Sequence, residues 1–315
     1  ASNFQLRDLT MGDDEFVISG FYADNVATAF GAVSLPANGR VDQAFLLRMD
    51  TTGVEQAAYR VDTDRIADGA TVAIRQSGGL CLGGRFAGNA DFDGDGTTDA
   101  TFKGGYGDAF VVALRADGST QWFRAFGTAG DDQPNDLVAV GDDCVAVGHL
   151  GGAVTLPSGQ TLGGAGGLDG FAMRLAAADG ATLWARAIGS AGSDQAMAAA
   201  VDALGQTLVG GHFVGQTALG SPHDTQQFDT AGAAEFDTAG AADAFILTLS
   251  DAGEVVSFVT LGGEGTEVIR RLAVDANDGA LVVGGLYDTA FTVDDVSFPA
   301  PAGDQDVWLL RLPSP

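Results

Sequence analysis

Lysine is almost absent from this chain: Lys103 is the single one among 315 residues, and 15 basic side chains stand against 42 acidic ones. A net charge of −27 repels phosphate backbones and anionic lipid headgroups over roughly 8 Å at physiological salt, so nucleic acid is excluded as a partner and divalent cations are favoured. No apolar run approaches the roughly 18 residues of a membrane helix, and no membrane insertion is expected. The opening "ASNFQL" has neither the basic region nor the apolar core of a signal peptide, so the chain either never carried one or begins after a cleavage point. Also missing are a nucleophile elbow, zinc-type histidine spacing, a phosphate-cradling loop and a dinucleotide fingerprint. Only acid–base chemistry by carboxylate pairs remains open, and enzymatic activity is the least favoured reading.

Cysteine is scarce too. Cys81 and Cys144 lie in matching apolar stretches, "GLCLGGRF" and "DDCVAVGHL", one register step apart. Adjacent strand residues point to opposite faces, so a bridge needs a particular approach of the two stretches. The expectation is two buried free thiols, with a disulfide as the alternative.

What the chain has in excess is glycine, 47 residues of it, and the glycines mark a repeat. An apolar run ending in Gly with an aromatic or Leu two residues on occurs as "VISGFY", "CLGGRF", "VAVGHL", "LVGGHF" and "VVGGLY", around Gly20, Gly84, Gly148, Gly211 and Gly285. The spacings are 64, 64, 63 and 74. The long interval contains "FDTAGAA" twice, from Phe228 and from Phe236, which marks an expanded surface loop. A second signature begins with Asp and an aromatic: "DQAFLLRMDTTG", "DAFVVALRADGSTQW", "DGFAMRLAAADGATLW", "DAFILTLSDAGEVVSF" and "DVWLLRL".

Within each repeat, β-branched and apolar runs of five to eight residues alternate with Gly and Asp, and long amphipathic helix patterns are missing. The third repeat predicts strands over Asp136–Val140, Cys144–Leu150, Gly170–Leu175 and Thr182–Ile188, with Asp117-Gly118 and Asp179-Gly180 closing hairpins. Four strands in about 64 residues, repeated, predict an all-β fold of propeller blades.

The residues Asp108, Phe110, Gly118, Trp122, Gly127 and Gly130, with counterparts Asp169, Phe171, Gly180, Trp184, Gly189 and Gly192, resemble the bacterial propeller repeat called SBBP, and more loosely the Trp-containing blades of quinoprotein-like propellers. The resemblance spans essentially the whole chain. The family name implies seven blades, whereas five repeats are present, at about 1–65, 66–130, 131–192, 193–265 and 266–315. The resemblance thus implies one five-bladed domain over 1–315, or part of a longer array. The last repeat ends after its third strand, so its blade lacks an outer strand of its own, and the residues before Asp8 are expected beside it.

Most repeated residues have structural readings. Trp122, Trp184 and Phe258 are expected to pack between neighbouring blades. Asp132, Asp194 and Glu267 follow the turn glycines and are expected to cap turn N–H groups rather than ring a mouth. His149 and His212 fill a position that elsewhere holds Phe21, Arg85 or Leu286, which argues for filler.

One loop has no counterpart. "NADFDGDGTTDATF" places Asp91, Asp93, Asp95 and Asp99 with Gly94, Gly96 and Thr97 in the pattern D-x-D-x-D-G-x-x-D. Calcium takes six to eight hard oxygen ligands, which alternating aspartates on a glycine-bent loop supply. The pattern is similar to the calcium loops of integrin-type propellers and to the first half of an EF-hand. Phe102 stands where the EF-hand has its Glu, and no helices flank the loop. The expected metal ligands are Asp91, Asp93, Asp95, the Thr97 backbone and Asp99; an ion held entirely by its own loop is a strut. The function expected is a secreted or cell-surface binding or scaffold module, a monomeric domain by itself or within a larger protein, with a protein or polysaccharide partner. The alternative is a calcium-dependent lectin.

Overall fold

The computed structural model describes residues 3–23, 27–31, 33–39, 41–164, 166–215, 218–220, 226–227, 242–293 and 295–313. Every regular element among them is a β-strand, and the strand pairings within their sheets are antiparallel. The duplicated "FDTAGAA" segment, apart from its last residue Ala242, and His223 lie outside the described residues. The chain forms two compact units, Ala1–Ala146 with Leu175–Ala181, and Val147–Arg174 with Thr182–Pro315.

In the first unit, one sheet orders Asn3–Met11, Glu15–Ala23, Gln43–Asp50 and Glu55–Arg60 as sequential neighbours. A second sheet does the same with Ile66–Ile74, Leu80–Ala87, Asp108–Leu114 and Thr120–Phe126. Val17, Leu46, Val72, Leu82, Phe86 and Phe110 belong to one core cluster spanning the two. The second unit repeats the pattern with Gln195–Val201, Thr207–Phe213, Asp243–Leu249 and Val255–Leu261, and then with the three strands Glu267–Val274, Leu281–Tyr287 and Asp306–Leu312. The four strands expected in the third repeat are present as Gln133–Val140, Asp143–Leu150, Asp169–Leu175 and Thr182–Gly189.

The signature glycines have a steric cause. A Cβ on Gly84 would sit 2.0 Å from the Asp68 carbonyl oxygen and 2.8 Å from the Phe110 ring; on Gly211, 2.0 Å from the Gln195 carbonyl oxygen and 2.9 Å from Phe245. Gly20 and Gly285 repeat this against Gln5 and Phe45, and against Val268 and Trp308. In each case the first strand carries a bulge at that level, between Leu6 and Asp8, Gly69 and Thr71, Ala196 and Ala198, or Ile269 and Arg271. The bulge pushes a carbonyl into the space a side chain would need. The two signatures are therefore one packing device, glycine against aromatic.

Successive strand groups meet through a second device. Leu137 seats its methyl group where Gly83 has no side chain, 2.9 Å from the would-be Cβ, and Ile269 and Leu272 do the same at Gly210. The backbone joins in, since Ala67, Asp132, Asp194 and Glu267 donate their N–H groups to the carbonyls of Asp42, Gly107, Leu168 and Ala242 at 2.7–3.0 Å. Trp122 packs on the following repeat's hairpin, with its indole N–H on the Ala177 carbonyl (2.9 Å) and its ring under Gly180; Trp184 does likewise with Asp251 and Gly253. Phe258 does not. It stacks on Phe245 of its own sheet, as Phe123 stacks on Phe92, because the true counterpart of the tryptophans is Ser257, four residues after Gly253. A slip of one residue along a strand changes the face.

Two further expectations are corrected. Cys81 and Cys144 form a disulfide, both fully buried, with Cα atoms 6.1 Å apart. The one-step offset that argued against pairing favours it between stacked sheets, where the forward face of one meets the rear face of the next. Asn3–Leu6, expected to be spare residues near the last repeat, are hydrogen-bonded to Gly20–Ala23 as part of the first sheet. Gly20 requires a bulged first strand opposite it, which these residues supply. The last sheet has three strands among the described residues, as expected, and the outward side chains of its final strand, Val307 and Leu309, are each 71% exposed.

Candidate metal centre

The aspartate loop sits on a small three-stranded sheet. Asn89–Asp91 pairs with Ala100–Thr101 on one side and with Asp62–Thr63 on the other, so Asp91 is the last residue with strand geometry before the turn. The turn is pinned at its base. Phe92 is fully buried against Phe86, Phe110 and Phe123, and its carbonyl accepts the Tyr59 hydroxyl at 2.6 Å and the Thr120 hydroxyl at 3.0 Å. Asp99 closes the loop, donating its N–H to the Ala90 carbonyl (2.8 Å) and accepting the Phe92 N–H at Oδ2 (2.7 Å).

The exposed part is wound by its own aspartates. Asp91 accepts the Gly94 N–H at 2.7 Å and the Gly96 N–H at 2.8 Å, while Asp93 accepts the Asp95 N–H at 3.1 Å. Gly94 and Gly96 have φ of 76° and 86°, in the left-handed region that glycine enters freely. Asp91, Asp93 and Asp99 each bring a carboxylate oxygen within 4.8 Å of the others. Asp95 is used differently, accepting both the N–H (2.7 Å) and the hydroxyl (2.6 Å) of Thr97. Of the five ligands expected, the structure thus gathers three acids and turns Asp95 toward Thr97.

Charge separates these acids. The Asp99 carboxyl is pushed up by burial and then by the charges of Asp93 and Asp91, against the Phe92 N–H that lowers it. Hydrogen bonds from Thr97 hold Asp95 below the usual carboxylate range. The Tyr59 hydroxyl is raised, by burial first and then by Asp91, Asp99 and Asp93. Asp62 is raised by burial, with Arg60 opposing and Asp91 adding to it, and Arg60 pairs with Asp62 at 2.6 Å. Asp91, Asp93 and Asp99 could together hold a metal ion through three hard carboxylate oxygens, and a cation there would offset this repulsion. Phe102 holds no ligand role: its N–H donates to the Gly88 carbonyl and Arg65 lies over its ring, 5.7 Å from the centroid.

Tyr59 and Thr120 were invisible to a reading of the loop, because they reach Phe92 from strands 33 and 28 residues away in sequence. His149 is buried, and the His212 imidazole is pushed down to about 4, chiefly by burial and then by Arg270 and His149. Comparison of the chain with protein-family models and with curated proteins finds no match in either.

Proposed function

We propose that this chain is a non-enzymatic binding or scaffold module of the secreted or cell-surface kind, built from five propeller-type blades, with one structural calcium ion at Asp91, Asp93 and Asp99. The observation that carries the metal reading is the convergence of those three carboxylates on a turn whose base is fixed by buried Phe92. A loop so anchored needs a counter-charge to hold three acids together, and an ion supplies it without tying the loop to any other segment. The buried Cys81–Cys144 disulfide fits an oxidising compartment. The blade reading is supported by the recurring sequential sheets, the glycine–aromatic packing and the Trp-on-hairpin contacts between consecutive repeats.

Several basic side chains are engaged in ion pairs within the fold, which favours a scaffold over a catalyst. Arg7 pairs with Asp68, Arg48 with Glu15, Arg174 with Asp251, and Arg311 with Asp275 and Asp278. The acidic excess left on the surface suits a cationic protein or polymer partner. Thermal melting with calcium and with chelator, on wild type and Asp91→Asn, tests the calcium reading. Calcium is expected to raise the melting temperature of wild type alone; a wild-type curve indifferent to chelator overturns the reading.

A further inference from the structure

Three consecutive repeats carry a pair of buried acids at the same place. The third strand of one repeat opens with an acid, and the first strand of the next opens with or just after another: Asp108 with Asp132, Asp169 with Asp194, and Asp243 with Glu267. All six are at most 6% exposed. The second acid of each pair caps the turn between them as expected, Asp132 taking the Thr128 N–H (2.6 Å), Asp194 the Ser190 N–H (2.6 Å) and Glu267 the Gly263 N–H (2.9 Å). In the first repeat the same positions hold Gln43 and Ala67, with the identical backbone link from the Ala67 N–H to the Asp42 carbonyl. Both acids are replaced together there.

The pair Asp243 and Glu267 has the least compensation. Glu267 donates its N–H to the Ala242 carbonyl at 2.7 Å, which sets it beside Asp243. Asp243 Oδ1 lies 2.0 Å from the would-be Cβ of Gly262, and Glu267 Oε2 is held by the next residue, Gly263. Asp243 Oδ1 and Glu267 Oε1 are buried without a hydrogen-bond partner. Around them the described elements offer Asp288, whose carboxylate takes the Thr266 N–H, Tyr287, paired with Glu267, and His212, paired with Ala244. Arg270 and Arg271 stand farther along the Glu267 strand, and both are exposed. At the Asp108 pair, by contrast, the chain's only lysine donates from Nζ to the Gly127 carbonyl and from its backbone to Asp108 Oδ2, both at 3.1 Å.

We infer that Asp243 and Glu267 are a proton-binding site, a carboxyl–carboxylate pair that holds one shared proton at neutral pH and so clamps the last two sheets together. Two desolvated acids with no facing cation among the described residues cannot both ionise cheaply, whereas one proton turns a repulsive contact into an O–H···O⁻ hydrogen bond between the two orphaned oxygens. The balance is simple: a proton enters from solvent and no other bond changes. Burial first, and then Glu267, pushes the Asp243 carboxyl up to about 7, and burial, with Asp288 added, pushes Glu267 to about 7. Because the folded values lie above the ordinary ones of 3.8 and 4.5, the pair's stabilisation is full below about pH 4 and is lost as pH rises through about 7.

Infrared difference spectra of the wild type in deuterated buffer at pH 7, against Asp243→Asn and Glu267→Gln, read the neutral carboxyl directly through its C=O stretch. The expected result is a protonated-carboxyl band in wild type that either substitution removes or shifts. The melting temperature of Asp243→Asn, whose amide imitates Gln43, is expected to depend less on pH between 4 and 8 than that of wild type. Absence of any neutral-carboxyl band at pH 7, or parallel pH–stability curves, overturns the inference. So does a wild-type melting temperature at pH 8 that rises with sodium or magnesium while that of Asp243→Asn stays flat, since the pair would then hold a metal ion. The wild-type spectrum decides the matter even if a variant fails to fold.

Discussion

Two clusters of acids in this chain solve the same electrostatic problem in opposite ways. At Asp91, Asp93 and Asp99, one exposed and two half-buried, a carboxylate oxygen of each lies within 4.8 Å of the others on a glycine-bent turn, where the proposed divalent ion would sit. At Asp243 and Glu267 the acids are 6% and 0% exposed, locked between sheets by the Gly262-Gly263 turn. An exposed cluster keeps its charges and takes a cation, while a buried one gives up a charge and takes a proton. The side-chain chemistry is the same, and burial sets the ligand.

The largest expected effect removes the frame that supports the loop without touching either cluster. Cys81 lies in the same sheet as Phe110, which packs on Phe92, and the bridge closes a sequence separation of 63 residues. Replacing both cysteines by Ala is expected to cost about 4 kcal/mol in denaturant unfolding, from the chain entropy the bridge removes. The calcium-induced increment should persist, and its loss would mean that the loop is not independently anchored by Phe92 and Tyr59.

The next effect contrasts the two turns. A methyl at Gly262 collides with the Asp243 carboxylate, so Gly262→Ala is expected to destabilise by about 3 kcal/mol through overpacking of a closed seam. Gly94 has open space but a φ of 76°, so Gly94→Ala should cost about 1 kcal/mol of backbone strain. Equal costs in chemical unfolding would break the distinction between a packed and a solvated cluster.

Calcium sharpens the comparison further. At a hundredfold excess over its Kd the ion is expected to stabilise the protein by about 2.7 kcal/mol. Asp91→Asn and Asp99→Asn should abolish this increment, while Asp95→Asn should leave most of it, because Asp95 is engaged with Thr97. Differential scanning calorimetry on the three variants distinguishes the gathered triad from the full sequence pattern.

Much of the fold was legible because its devices are local in sequence. The Asp-Gly hairpins, with Gly118 and Gly180 at φ of 84° and 69°, and the glycine–aromatic signature each announce a strand or a turn from their own residues. Features that depend on which face meets which were harder to read. The disulfide follows from the stacking of sheets, and Phe258 was misassigned by one residue because period-two alternation makes neighbours along a strand look alike while pointing apart. In the loop, the aspartate spacing identified the candidate ligands, but only the turn's own hydrogen bonds separate Asp95 from the other three. The buried acid pairs were visible as recurring residues; their coupling was not, since each pair is split across two repeats.

One measurement probes the contrast between the clusters most directly. It is the calcium-induced shift in melting temperature of the wild-type protein, measured at pH 8 and again at pH 5. Calcium binds only deprotonated carboxylates, and Asp99 is already raised by burial and its neighbours, so acid should weaken the ion's hold. The account predicts a clear calcium-induced rise at pH 8 that shrinks at pH 5, while the melting temperature in chelator is higher at pH 5 than at pH 8. A calcium shift absent at pH 8, or a chelated protein that is more stable at pH 8 than at pH 5, would contradict it.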